Sequence, residues 1–167
     1  MYLREICRIS KDVYNQSIYN IRQHYFSEGV YLRYEANYLQ MKNTPNYSML
    51  GASTAQQTMK AADQSFKSFF ALLKKSKQGK YENWKVKLPK YLPKDAFYPV
   101  IYVGVKHASS DGKFIVPVSY EMRKKYSDIA CKFIINIPNY IKGKNIHQIQ
   151  IIPKYKGKYF EARILFD

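Results

Sequence analysis

Cysteine is nearly missing from this chain. Cys7 and Cys131 are the only two, and they lie far apart. That scarcity excludes a disulfide framework and a zinc site of paired cysteines, and it favours a reducing compartment. No apolar run reaches the roughly 18 residues that a membrane span needs. Arg4, Glu5, Arg8, Lys11 and Asp12 interrupt the apolar pattern at the amino end, so it does not read as a signal peptide. Acids are scarce as well. The 12 Asp and Glu residues face 28 Lys and Arg. They form no D-x-D or E-x-x-D cluster of the kind that gathers two metal ions. His24, His107 and His147 form no H-x-H or H-x-x-x-H pair. No phosphate-cradling glycine loop occurs. Cys7 has no nucleophile signature and reads as a buried helix residue. These gaps leave no self-contained active site and no cofactor requirement legible in the sequence, and the chain is expected to be non-catalytic by itself.

What is abundant is positive charge and tyrosine. The formal net charge is +16, and Tyr occurs 17 times. A pI near 9.7 predicts attraction to a polyanion. The charge is concentrated in KKSKQGKYENWKVKLPKYLPK, residues 74–94. There Lys74, Lys75, Lys77, Lys80, Lys85, Lys87, Lys90 and Lys94 face one acid, Glu82, with Tyr81, Trp84 and Tyr91 set among them. Ammonium groups neutralise phosphates, and flat rings between them stack on bases. The plainer alternative is a solvated basic loop. A chain with 46% hydrophobic residues can build a core, so one domain or two small ones are expected.

The first half has helical periodicity. Leu3, Cys7, Ser10, Tyr14, Ile18, Ile21 and Tyr25 mark one helix face, stopped by Ser27-Glu28-Gly29. Tyr31, Tyr34, Tyr38 and Met41 mark a second helix, broken by Asn43-Thr44-Pro45-Asn46. A third is expected to start near Ser53 or Thr54 and end near Lys77, burying Ala55, Met59, Ala62, Phe66, Phe69, Phe70 and Leu73. After residue 96 the period shifts towards two. Strands are expected over 97–105, 113–118 and 130–137, with a turn at Ser110-Asp111-Gly112 and a short helix over 119–127. A hairpin of 146–155 and 158–166 is joined at Lys156-Gly157-Lys158, its second strand alternating Phe160, Ala162, Ile164 and Phe166 with polar neighbours. The fold class is therefore α+β: a bundle of three main helices, then a small antiparallel barrel-like β domain. The boundaries drawn are 1–77, a basic linker over 78–96, and 97–167.

Polar residues on the helices add candidates. Asn15, Tyr19, Arg22 and Gln23 lie partly off the apolar stripe of the first helix, and Gln56, Gln57 and Lys60 open the third. Amides pair with adenine edges, and helix amino termini favour phosphate. Helix solubility explains the same residues equally simply.

At these positions the chain resembles the TnpB (OrfB) family of transposon-encoded RNA-guided DNA endonucleases, relatives of the compact type V CRISPR effectors. The resemblance rests on Cys7-Arg8-Ile9-Ser10-Lys11-Asp12-Val13-Tyr14-Asn15, on Ile18-Tyr19 and Ile21-Arg22-Gln23, and on Gly29-Val30-Tyr31-Leu32-Arg33-Tyr34. It continues through Tyr47, Leu50, Ala55-Gln56-Gln57, Phe66-Lys67-Ser68-Phe69-Phe70, Lys87-Leu88-Pro89-Lys90-Tyr91 and Gln148-Ile149-Gln150-Ile151-Ile152-Pro153-Lys154. It implies a recognition (REC) domain followed by a wedge (WED) domain, binding a guide RNA scaffold and a short DNA motif beside the target. Tyr34, Tyr38 and Gln56 sit where family members contact that motif. The basic linker and Lys154, Lys156 and Lys158 would grip RNA phosphates. The family's leading segment and its RuvC-like nuclease domain have no counterpart here. The resemblance thus implies an amino-terminal lobe: excised, separately encoded or degenerate. The expected partners are RNA, DNA and a RuvC-like domain or subunit, with no membrane, in the cytoplasm near the nucleoid. A stand-alone DNA-binding regulator derived from such a protein is the alternative. An enzyme assembled from Asp63, Glu82, Asp111 and Glu121 is a more distant one.

Overall fold

The computed structural model describes residues 2–105, 108, 111–126 and 133–167. Helix α1 (Tyr2–Glu28) buries Leu3, Cys7, Ser10, Tyr14, Ile18 and Ile21, the stripe that the sequence spacing predicts, while Tyr25 is half-buried. It stops at Gly29, whose φ of +70° lets its N–H reach back to the Tyr25 carbonyl at 3.0 Å. Helix α2 (Tyr34–Met41) follows. The second helix breaks where expected, ending at Met41, and Pro45 of the break also starts a further short helix, α3 (Pro45–Leu50), with Thr44 at the N-cap. Proline suits that first turn, where its missing N–H costs nothing. Helix α4 (Ala52–Lys77) starts from Gly51 with no side-chain cap, so Ser53 and Thr54 do not cap it as expected. Its Ala55, Met59, Ala62 and Phe66 are buried, and Phe69, Phe70 and Leu73 are half-buried.

α1 and α4 run side by side in the same direction. Ser10 meets Thr58 at 3.1 Å, Tyr14 meets Ser65 at 3.1 Å, and the Tyr25 and Phe70 rings lie 5.2 Å apart. Two parallel helices finish at the same end of the molecule. The chain must therefore travel back before it can build the sheet.

The sheet half contains β1 (Val100–Val103), β2 (Lys113–Ile115), α5 (Tyr120–Lys125), β3 (Ile134–Asn136), β4 (Ile146–Lys154) and β5 (Tyr159–Phe166). Strands β1, β4 and β5 form an antiparallel sheet in that order, and β2 pairs with β3 in a separate antiparallel ribbon. The fold is α+β. Among the described residues the strands do not close into a barrel. Val100, Tyr102, Ile149 and Ile151 instead share a core with Ile6, Cys7, Ala55 and Met59, so helices cover the face that a barrel would turn inward. A second, smaller core of Tyr14, Ile18, Ile21, Leu32, Ala62 and Phe66 lies along α1 and α4.

The first strand is shorter than the expected 97–105. Tyr98 gives its N–H to the Cys7 carbonyl of α1 at 3.0 Å instead of to a strand. The expected helix over 119–127 is α5, capped by Ser119, whose Oγ accepts the Met122 N–H at 3.2 Å. The turn at 110–112 and the strand over 130–137 fall partly outside the described residues, and β3 covers only 134–136 of the described part of the latter. On β5, Phe160, Ile164 and Phe166 are half-buried while Ala162 is exposed, so the alternation is weaker than the sequence pattern predicts. The β4–β5 turn lies at 155–158. Tyr155 and Lys156 adopt φ of +47° and +55°, which costs roughly 1–2 kcal/mol for each non-glycine residue.

Candidate nucleic-acid interface

The return path is residues 86–98, an extended strap laid on α1. Its shape follows from its prolines. Leu88, Leu92 and Tyr98 each precede a proline, and that position is sterically restricted to extended backbone. The same three residues pack against the smaller core. Polar groups of α1 then hold the strap's backbone. Arg22 Nη1 donates to the Pro89 carbonyl at 3.2 Å. Asn15 donates to the Leu92 carbonyl at 2.9 Å and accepts the Leu92 N–H at 2.8 Å. The buried Lys11 donates to the Lys94 carbonyl at 3.2 Å. The Tyr14 and Tyr98 rings stack at 4.6 Å, and burial pushes the Tyr98 phenol up to about 12. The partners descend along α1, from Arg22 to Cys7, as the strap ascends from Pro89 to Tyr98. It therefore runs antiparallel to the helix over about 22 Å, fifteen residues of helical rise.

Because α1 grips carbonyls and apolar side chains, the strap's cations stay outside. Lys87, Lys90, Tyr91 and Lys94 are exposed. At the strap's start stand Lys74, Lys75 and Lys77 in the last turn of α4, then Lys80, Tyr81 and a 3-10 turn, Asn83–Lys85. The half-buried Ser76 donates to Asn83 Oδ1 at 3.3 Å, tying that turn to the helix end. Trp84 is 71% exposed, with Lys85 Nζ 4.9 Å above its ring. Lys85 also pairs with Glu82. Among the described residues no carboxylate forms an ion pair with Lys74, Lys75, Lys77, Lys80, Lys87, Lys90 or Lys94.

At the strap's far end sits the β4–β5 hairpin tip. Lys156 Nζ reaches Asp95 Oδ2 at 3.1 Å, and Gly157 packs under Phe97. The hairpin lysines therefore differ from the expectation that all three are available for phosphate. Lys154 pairs with Glu161 at 3.2 Å and Lys156 with Asp95, because the neighbouring strand and the strap supply carboxylates. Only Lys158 has no such partner among the described residues.

The helix candidates divide. Asn15 and Arg22 are pins for the strap, and Arg22 also lies 4.9 Å from the Tyr91 ring centre. Tyr19 and Gln23 are exposed on α1. Tyr34, Tyr38 and Gln56 are brought into one cluster, joined through Tyr47, which sequence reasoning passed over as a site residue. The Tyr34 and Tyr38 rings lie 6.5 Å apart, Tyr38 meets Tyr47 edge-on at 6.1 Å, and Gln56 Nε2 donates to the Tyr47 hydroxyl at 3.1 Å. Burial raises the pKa of both Tyr34 and Tyr47. Gln57 is half-buried, and Lys60, one turn beyond Gln56, is exposed.

Cys7 is buried, and that burial pushes its thiol up to about 12, far from a reactive thiolate. Asp63 is buried where it accepts from Tyr31 and pairs with Lys67 at 2.8 Å, fixing the segment after α1 to α4. Among the described residues no three His, Cys, Asp or Glu side chains converge on a metal-sized space. No described helix is long and apolar enough to cross a membrane. The chain matches no protein-family model and no curated protein.

Proposed function

We propose that this chain is the nucleic-acid-binding lobe of a TnpB-like RNA-guided DNA endonuclease. In this reading it holds a guide RNA scaffold and a target-adjacent DNA motif and performs no cleavage itself. One observation carries the proposal: the row of lysines from Lys74 to Lys94, interleaved with Tyr81, Trp84 and Tyr91, starts on the last turn of α4 and ends with Lys87, Lys90 and Lys94 on a strap whose backbone is pinned to α1. Preorganised cations lose less freedom on meeting a phosphate chain than cations on a loose loop. Phosphate contacts supply affinity and register; the cluster of Tyr34, Tyr38, Tyr47 and Gln56 with nearby Lys60 supplies base-edge contacts. Gln56 already donates to Tyr47, so it reads a base with its second N–H or with its carbonyl. The RuvC-like partner and a nucleoid-associated cytoplasmic location belong to the same proposal.

The decisive experiment purifies the chain at moderate salt and sequences the RNA that comes with it. A structured transcript from the end of a neighbouring transposon is the expected result. Filter binding then measures affinity against salt. A logarithmic slope of about −0.7 per single-strand phosphate contact is expected, and an affinity that stays flat from low to physiological salt would refute the reading.

A further inference from the structure

The β4–β5 tip carries two rings that the nucleic-acid reading has not used. Tyr155 is 77% exposed and Tyr159 67% exposed, and they meet edge-to-face at 6.0 Å and 87°. Their exposure is built into the turn. Tyr155 and Lys156 hold a left-handed backbone that non-glycine residues rarely adopt. What holds them there is docking onto the strap. An ideal Cβ on Gly157 would lie 3.3 Å from the Phe97 ring, and Lys156 reaches Asp95. Arg4 lies over the same Phe97 ring at 5.3 Å. With its left-handed turn held by those contacts, the tip presents Tyr155 to solvent rather than packing it. Persistent backbone strain of this kind is characteristic of places where geometry serves a purpose.

The tip is also placed to continue the lysine row. Asp95 and Phe97, its docking partners, directly follow Lys94. Lys158 stands between the two tyrosines in sequence, exposed and without a carboxylate partner among the described residues. The one nearby acid on the hairpin, Glu161, is neutralised by Lys154 at 3.2 Å and Arg163 at 3.4 Å. A pair of open ring faces beside a phosphate-seeking ammonium group matches a nucleotide whose base is free to stack. Bases inside a duplex already stack on each other and present no face to a protruding ring. Splayed bases of a single strand do, and they stack on aromatic side chains with little sequence preference.

We infer that the hairpin tip, through Tyr155 and Tyr159 with Lys158, is a stacking site for an unpaired base of a single-stranded nucleic acid whose backbone runs on from the strap. This inference rests on the nucleic-acid reading above and adds where the strand is unpaired.

The test uses the full chain with a labelled twelve-nucleotide oligouridine and a blunt RNA duplex of equal length. Vesicles of phosphatidylcholine and phosphatidylserine serve as a third probe. Three variants accompany the wild type: Tyr155→Ser with Tyr159→Ser, Tyr155→Phe with Tyr159→Phe, and Lys87→Glu with Lys90→Glu and Lys94→Glu. Circular dichroism checks that each is folded. The serine pair is expected to lose roughly ten-fold affinity for oligouridine, with the salt slope and duplex affinity unchanged, and the phenylalanine pair should retain wild-type binding. If the serine pair binds oligouridine like wild type while the lysine variant fails, the stacking site is refuted and the nucleic-acid reading stands. Equal losses on duplex and single strand also overturn it, since a blunt duplex offers a stacking face only at its two terminal pairs, whereas a single strand offers one at every base. Vesicle binding that depends on the two tyrosines would assign the tip to a lipid surface instead. If wild type binds neither RNA at low salt, the underlying reading falls and takes the inference with it.

Discussion

The strap and the hairpin tip are written in the same residues. One reads Lys-Tyr-Leu-Pro-Lys at 90–94, the other Lys-Tyr-Lys-Gly-Lys at 154–158, yet their cations end in different states. On the strap, α1 takes hold of backbone carbonyls through Arg22, Asn15 and Lys11, and the lysine side chains are left over. On the hairpin, Glu161 across the strand and Asp95 on the strap take hold of the side chains themselves. Backbone pinning leaves cations available, and side-chain pairing occupies them. The contrast is sharpest in binding. Replacing Lys87, Lys90 and Lys94 together by Glu should weaken RNA binding by on the order of 100-fold at low salt and reduce the salt slope by about 2. Replacing Lys154 and Lys156 by Gln should change affinity several-fold at most. Filter binding at four salt concentrations checks both, and equal losses from the two regions would erase the distinction.

The same comparison can be attacked through what holds each region. Asn15 makes two hydrogen bonds to the Leu92 peptide. Asn15→Ala removes both and leaves a partly buried N–H and C=O without partners, at a cost of about 2 kcal/mol. Urea unfolding measures it. Binding should fall as well, because the lysines remain but lose their fixed spacing. At the hairpin, Gly157→Ala puts a methyl group against Phe97 at a residue with φ of +72°. A loss of about 1–2 kcal/mol is expected there, with strap-dependent duplex binding preserved. A Gly157→Ala protein as stable as wild type would mean that the tip is not docked as described.

Much of the helical half was legible because periodicity reports burial directly. The stripe from Leu3 to Ile21 and the run from Ala55 to Phe66 need no partner to be recognised. The strap reads as a linker in sequence because its composition is that of one. What decides its state is Asn15 and Arg22, polar residues some 70 positions away whose role as pins no local pattern encodes. A barrel was expected because short strands carry no sign of what covers them, and here α1 and α4 do. Helix α3 was hidden behind Asn43 to Asn46, where a proline that ends one helix begins the next. Among the candidate site residues, Tyr34, Tyr38 and Gln56 do meet, but Tyr47 joins them from that overlooked helix. The pairing of Lys154 and Lys156 needed the register of β4 on β5 and the approach of the strap.

The smallest effect concerns the other end of α1, where side-chain pairing again holds a carboxylate. Arg8 grips Glu5 with two bonds of 2.9 and 2.8 Å, and the Tyr126 hydroxyl donates to it at 3.0 Å. The Arg8 bonds chiefly, helped by Tyr126 and opposed by burial, hold the Glu5 carboxyl below its usual range. A carboxylate depressed in the folded state stabilises the fold above its unfolded pKa, near 4.3, and that contribution disappears as pH falls through the lower folded value. Wild type should therefore lose stability between roughly pH 5 and pH 3 more steeply than Glu5→Gln, which has no carboxyl to protonate there. The variant should also be the less stable of the two at pH 7, where Arg8 loses its charged partner and keeps only Asp12 at 3.0 Å. Thermal melts across that range read the difference. Parallel curves would mean that the Arg8 grip contributes nothing in solution, and that side-chain pairing in this protein is as weak at half-buried Glu5 as it is expected to be at the exposed hairpin.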